Sequence, residues 1–178
     1  GFDTENPQLK HQKCLPLSVF KSMWENNRTV MSQAIGQLIT GALFFGMRSC
    51  EYSKVEGTRK TKIIRICDLT FRFKNRIIPI RKDRLHLLKY ATSISVTFRD
   101  QKNGNKCETI TMPSTSSTDG FGPTQAWAAI VVRILSYPDK SISSPVNTVR
   151  IGNRLFYVTS KQVAVQIKAT VTFIGESK

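Results

Sequence analysis

The stretch Ile35 to Tyr52, IGQLITGALFFGMRSCEY, constrains the fold more than any other part of the chain. Ile35, Leu38, Ile39, Ala42 and Phe45 recur at the i, i+3, i+4 spacing of one helix face. Leu43, Phe44 and Met47 widen that face until little of the helix can be solvated, so the spacing predicts a buried helix from about Thr29 to Tyr52. Its one cation, Arg48, is not explained by the apolar pattern. An unpaired buried charge is very costly, so Arg48 needs a partner or an anionic ligand. Glu51, three residues on, is one candidate; a phosphate, whose oxygens match a guanidinium fork two at a time, is the other.

Charge narrows the choice of partner. The chain has 178 residues, enough for one domain with a real core, and its 27 Lys and Arg against 12 Asp and Glu give a net charge of +15. Between Lys54 and Lys106 lie 15 of the bases and four of the acids, an excess of 11. That concentration predicts a surface for a polyanion, with double-stranded DNA the expected partner. Lys54, Arg59, Lys60, Lys62, Arg65, Arg72, Lys74, Arg76 and Lys106 are the expected phosphate contacts. No amphipathic membrane helix accompanies the run and no apolar run is long enough to span a bilayer, so no membrane partner is expected.

The four cysteines, Cys14, Cys50, Cys67 and Cys107, form no C-x-x-C pair, and only His11 and His86 could join them. Neither a metal site nor a disulfide framework is expected, and reduced thiols in an intracellular protein fit best. No cofactor or small-molecule substrate is implied.

Gly1 to Leu15 is polar and irregular, an arm or linker; residues 16–178 form the domain. A helix starts at Pro16, with Phe20, Met23 and Trp24 on one face. After the long helix, strands are predicted at Lys62–Ile66, Leu69–Phe73, Ile77–Ile80, Ser93–Phe98 and Cys107–Met112, with hairpin turns at Asn75 and at Asn103-Gly104-Asn105. Residues 113–122 read as a loop, Thr124–Leu135 as a helix and Ser141–Pro145 as a linker. A short strand falls within Arg150–Val158, and Thr159 or Ser160 caps a last helix. Local hairpins between helices predict an α+β domain, helices flanking a small antiparallel sheet.

Gly46-Met47-Arg48-Ser49-Cys50-Glu51-Tyr52 resembles the G-[LM]-R-x-x-E-[LY] box of tyrosine recombinases, the phage-integrase family. With the basic run and the Asp68-Leu69-Thr70-Phe71 strand that follow, the chain looks most like the crypton-like recombinases of eukaryotic genomes. The resemblance implies a partial integrase-like catalytic domain that cuts and rejoins DNA through a 3′-phosphotyrosyl link, to integrate or excise a mobile element in the nucleus, as an oligomer on DNA. It implies that Arg48 holds the scissile phosphate and that Glu51 orients Arg48. Lys102, on the turn Gln101 to Lys106, corresponds to the family's general acid, and Asp68 to an aspartate in a structural turn. The chemistry needs no metal, because protein cations neutralise the charge that builds on the phosphate.

The rest of that machinery is not in this sequence. His11-Gln12-Lys13-Cys14 and His86-Leu87-Leu88-Lys89 both depart from the family's H-x-x-R box. Tyr52, Tyr90, Tyr137 and Tyr157 all precede the place of the nucleophile. The resemblance covers Leu15 to the end and matches the N-terminal part of a catalytic domain, which alone is expected to be inactive. Two other readings stay open: a non-catalytic DNA-binding derivative, and an unrelated basic structural nucleic-acid-binding protein. If C-terminal helices are missing, part of Leu38, Phe44, Phe45 or Val171 is expected in an exposed apolar patch that favours self-association.

The basic run carries its own test. Duplex binding is expected to be salt-sensitive and nearly sequence-independent, each neutralised phosphate contributing a log–log slope of about −0.9. Replacing Arg59, Lys60 and Lys62 by alanine flattens that slope in a fluorescence titration. No binding in about 50 mM salt removes the polyanion reading.

Overall fold

The computed structural model describes residues 15–25, 28–47, 49–54, 62–99, 107–115 and 120–176. Helix α1 is Leu17–Glu25, buried through Val19 and Met23. Helix α2, Val30–Phe45, opens with a reciprocal cap: Thr29 Oγ1 accepts the Ser32 N–H, and Ser32 Oγ accepts the Thr29 N–H, both at 3.0 Å. Its close departs from the expected continuous helix to Tyr52. Gly46 takes the left-handed conformation (φ 60°), and the Gly46 and Met47 N–H groups turn back to Leu43 O (3.3 Å) and Ala42 O (3.2 Å). That arrangement satisfies the last carbonyls and ends the helix, as only a residue without Cβ does at little cost. A separate short helix, α3, follows at Ser49–Tyr52.

The sheet has four strands in the order β2-β1-β3-β4, all antiparallel: β1 Leu69–Phe73, β2 Arg76–Ile78, β3 Ser93–Phe98 and β4 Glu108–Pro113. Lys74 and Asn75 both have positive φ (46° and 70°), the two-residue turn whose twist suits a hairpin. The expected strand Lys62–Ile66 is not one: it contributes a single bridge, Arg65 to Pro145, before a 3-10 turn at Ile66–Asp68. Residues Lys82–Tyr90 form a 3-10 segment that their weak apolar periodicity does not announce. The turn predicted at Asn103-Gly104-Asn105 lies outside the described residues, and β3 and β4 on either side of it pair in register from Phe98–Glu108 to Ser93–Pro113.

Alternation gives the sheet one apolar face. Leu69, Phe71, Ile94, Val96 and Phe98 are buried there, against helix α4, Pro123–Leu135. Helix α4 starts with Pro123 at its first turn and buries Trp127, Ile130, Val131 and Ile134 completely. Helix α2 packs across α4, with Phe45 edge-on to Trp127 at 6.5 Å between ring centroids. A small hairpin, β5 Thr148–Ile151 and β6 Arg154–Tyr157, leads to helix α5, Ser160–Glu176. Thr159 and Gln162 cap α5 reciprocally, at 2.9 and 3.2 Å. The fold is α+β, a small antiparallel sheet flanked by helices. Among the described residues, no helix is long and apolar enough to cross a membrane.

The expected apolar patch is only partly where it was placed. Leu38 and Phe45 are buried, and Phe44 is half-buried with its ring on Phe121. Val171 is exposed as expected, with Val165 and Phe173 on the same helix α5, and further exposed apolar side chains lie on the β5–β6 hairpin at Ile151, Leu155, Phe156 and Tyr157. Helix α5 packs on α1 and α2 mainly through Val163, Ile167 and Ile174, which leaves Val165, Val171 and Phe173 outward.

Helices α2 and α4 meet at one close approach. A Cβ on Gly41 would stand 2.8 Å from Trp127 Cε2. The indole is fully buried and cannot retreat. Gly41→Ala is therefore expected to destabilise the fold by about 2 kcal/mol, which thermal denaturation reads as a Tm lowered by roughly 4–8 °C. An unchanged Tm would show that the contact relaxes freely.

Candidate nucleic-acid interface

A cleft of about 210 Å³ opens where α3, the 62–65 segment and the end of β3 meet. Glu51, Lys62, Arg65, Asp68, Thr97 and Arg99 line it, with Ile63, Ile64 and Phe98 behind. Its outer wall is hung by the backbone. Ile64 N–H donates to Glu51 O (3.0 Å), and Ile64 O accepts from Val146 N–H (2.9 Å). Ile66 N–H reaches Ser144 O (3.1 Å), and Cys67 N–H reaches Ile142 O (2.7 Å). Arg65 also donates through Nη1 to Ser143 O. The stretch Ser141–Pro145, expected as a linker, is thus a packed buttress, with Ser144, Val146 and Asn147 buried behind it. Its serines supply hydrogen bonds that a composition-based reading takes for solvation.

Asp68 organises the floor. Its carboxylate is almost fully buried, and Oδ2 accepts the Arg65 N–H at 2.8 Å. Oδ1 lies 2.5 Å from Arg99 Nε, an ion pair by distance, although that oxygen has no well-aligned hydrogen-bond donor. Arg99 also donates to Cys67 Sγ at 3.3 Å. Asp68 and then Cys67 raise the Arg99 pKa above its ordinary value, so the guanidinium is charged at every working pH. It is exposed to solvent, so the pair serves to place a cation at the cleft more than to stabilise the fold.

The expected basic residues divide by position. Lys62 and Arg65 line the cleft with Glu51. Lys54 is exposed, and its backbone bonds to Val158 O and Ser160 N–H, both at 2.9 Å, tie α3 to the entry of α5. Arg72 lies on the outer side of β1, donating to Ser95 Oγ at 2.7 Å. Lys74 and Arg76 sit at the β1–β2 turn, at the opposite end of β1 from the cleft, about 17 Å away at strand rise. Arg48, Arg59, Lys60, Lys102 and Lys106 lie outside the described residues.

Arg99 lines the cleft although the basic-run argument did not single it out. Its signal in the sequence is its place, one residue beyond the strand SISVTF and just before the Asn-Gly turn. Arg133 is a different kind of cation. It is half-buried on α4, and donates to Gln37 Oε1 (3.0 Å), Thr148 O (2.7 Å) and Tyr137 Oη (3.2 Å). Burial lowers its pKa, yet a guanidinium stays protonated, and it ties α2, α4 and β5 together. Among the described residues no group of His, Cys, Asp or Glu is arranged to hold a metal ion.

No family model, curated protein or solved structure significantly matches this chain.

The Asp68 arrangement predicts unequal costs. Asp68→Ala removes the acceptor of the Arg65 N–H and the partner of Arg99, and is expected to cost about 2 kcal/mol in urea unfolding. Arg99→Ala costs less, because solvent screens that side of the pair. Equal costs would show that the ion pair, not the buried acceptor, holds the turn.

Proposed function

We propose that the chain is the DNA-binding part of a site-specific tyrosine recombinase, acting on duplex DNA in the nucleus and assembling on it as an oligomer. One observation carries the reading. Two segments far apart in sequence line one cleft: Glu51, three residues after Arg48, and Arg99, three residues before Lys102. Lys62 and Arg65 line the same cleft, so that three cations, with the acids Glu51 and Asp68, border a space large enough for a phosphate. A recombinase needs a guanidinium on the nonbridging oxygens and an acid on the leaving oxygen of the same phosphate. In this reading Arg48 supplies the first, Lys102 the second, and Glu51 orients Arg48. Lys62, Arg65 and Arg99 hold the flanking backbone. The nucleophile and the second arginine come from outside this chain.

The test is covalent trapping on a nicked duplex by the intact recombinase that the proposal implies. Arg48→Ala is expected to abolish the trapped product while leaving duplex affinity within about threefold, since one contact among many phosphate contacts is lost. A variant that still traps DNA would overturn the catalytic assignment of Arg48. Duplex binding with no trapping even in the unaltered protein would favour a non-catalytic derivative.

A further inference from the structure

The side of the sheet turned away from α4 has an unusual composition. Its positions are Thr70 and Arg72 on β1, Ile77 on β2, Ser93, Ser95 and Thr97 on β3, and Thr109, Thr111 and Pro113 on β4, with Ser95 itself buried beneath its neighbours. These are six hydroxyls, one guanidinium and two apolar side chains, and no position on this face of the four strands carries an acid. A solvated sheet face ordinarily mixes charges of both signs. Arg72 has no carboxylate partner among the described residues; it donates to Ser95 Oγ at 2.7 Å. Ser95 Oγ lies 2.7 Å from Thr111 Oγ1, and Thr97 Oγ1 lies 3.0 Å from Thr109 Oγ1.

Arg72 donates to Ser95 Oγ, and either hydroxyl of the Ser95–Thr111 pair can be the donor, so that pair shares one proton and keeps one over. Of the Thr97–Thr109 pair, one proton is likewise left over. The face therefore presents surplus donors and a positive charge to its surroundings, which suits a row of anionic acceptors. It is also continuous with the cleft, because Thr97 is a wall residue of both, and Arg99 follows one strand-length step later. From Thr97 to Ser93 the strand covers about 13 Å, the axial rise of roughly four nucleotides along one DNA strand.

We infer that the outer face of the sheet is a track for the sugar-phosphate backbone of duplex DNA, leading away from the cleft. Arg72 makes its charged contact, and Thr109 and Thr111 make neutral ones that read no sequence. The inference rests on the nucleic-acid reading of the cleft but uses none of the cleft's cations.

The experiment is a fluorescence titration of the whole chain against a labelled duplex across a range of salt. Arg72→Gln is expected to weaken binding about tenfold and to lower the magnitude of the salt slope by about 0.9. Arg72→Lys keeps the slope. The pair Thr109→Val and Thr111→Val, which preserves strand propensity, weakens binding about threefold without changing the slope, and so reports on the face even if the arginine variant folds poorly. Arg81→Gln is the control, since Arg81 is exposed, already paired with Asp83, and outside the four strands. If the face variants bind like the unaltered chain while Lys62→Ala or Arg65→Ala weakens binding, the track is refuted and the cleft reading stands. If the unaltered chain binds no duplex at all, both fall together.

Discussion

The indole of Trp127 lying directly against Gly41 is the contact on which the rest of the molecule depends. It lets α2 and α4 approach closely at a point where any side chain on α2 would intrude. Helix α4 then has its other side free to cover the apolar face of the sheet, where Phe71, Ile94 and Val96 are fully buried. Density of this kind transmits position from one layer to the next, because a close-packed interior has few voids into which a displacement can relax. The cleft lies at the edge of this block, between α3, which follows the Gly46 cap, and the end of β3. Two elements with no sequence proximity are thereby held beside one small space.

Around that rigid block, charge is placed by two different devices. Arg133 is held through Nε and Nη1 by three neutral acceptors, while its buried Nη2 has no partner, and its role is structural. Arg99 and Arg65 are set at the surface by a single buried carboxylate, Asp68, which bonds to the backbone of one and pairs with the side chain of the other. A buried acid that holds exposed cations fixes where positive charge can meet a ligand, without neutralising the basic surface around it. The proposed recombinase chemistry asks for this division: the cations must be in place before the phosphate arrives, since electrostatic stabilisation is effective only when no reorganisation is needed at the moment of reaction.

Elements governed by local rules were legible in the residues themselves. The alternation of SISVTF, the periodicity of Thr124–Leu135 and the Thr159 cap all correspond to elements of the structure. So does the α+β class, because local hairpins between helices leave few other arrangements. The misreadings share a cause. The stretch Lys62–Ile66 has strand-like residues but its partner is the serine-rich 141–146 stretch, a pairing that no local pattern announces. The end of α2 at Gly46 was masked by apolar residues that continue the helical rhythm past the glycine. Of the candidate site, Glu51, Lys62 and Arg65 were legible as chemistry, while Asp68 and Arg99 could be paired only in three dimensions. Arg72 was counted as one more base in a run; its hydroxyl surroundings come from two other strands.

The wall of the cleft has one property that concerns its history more than its present chemistry. Residues 64–67 are held in place chiefly by main-chain atoms, bonded to α3 on one side and to the serine buttress on the other. Main-chain anchors do not depend on which side chain is attached, so the backbone bonds at Ile64, Ile66 and Cys67 hold the wall whichever exposed side chains it carries. Shape and recognition are separately inherited in such a construction. A lineage carrying it is free to retune what the cleft prefers by point substitution, whereas a change in the buttress would alter the frame for every ligand at once.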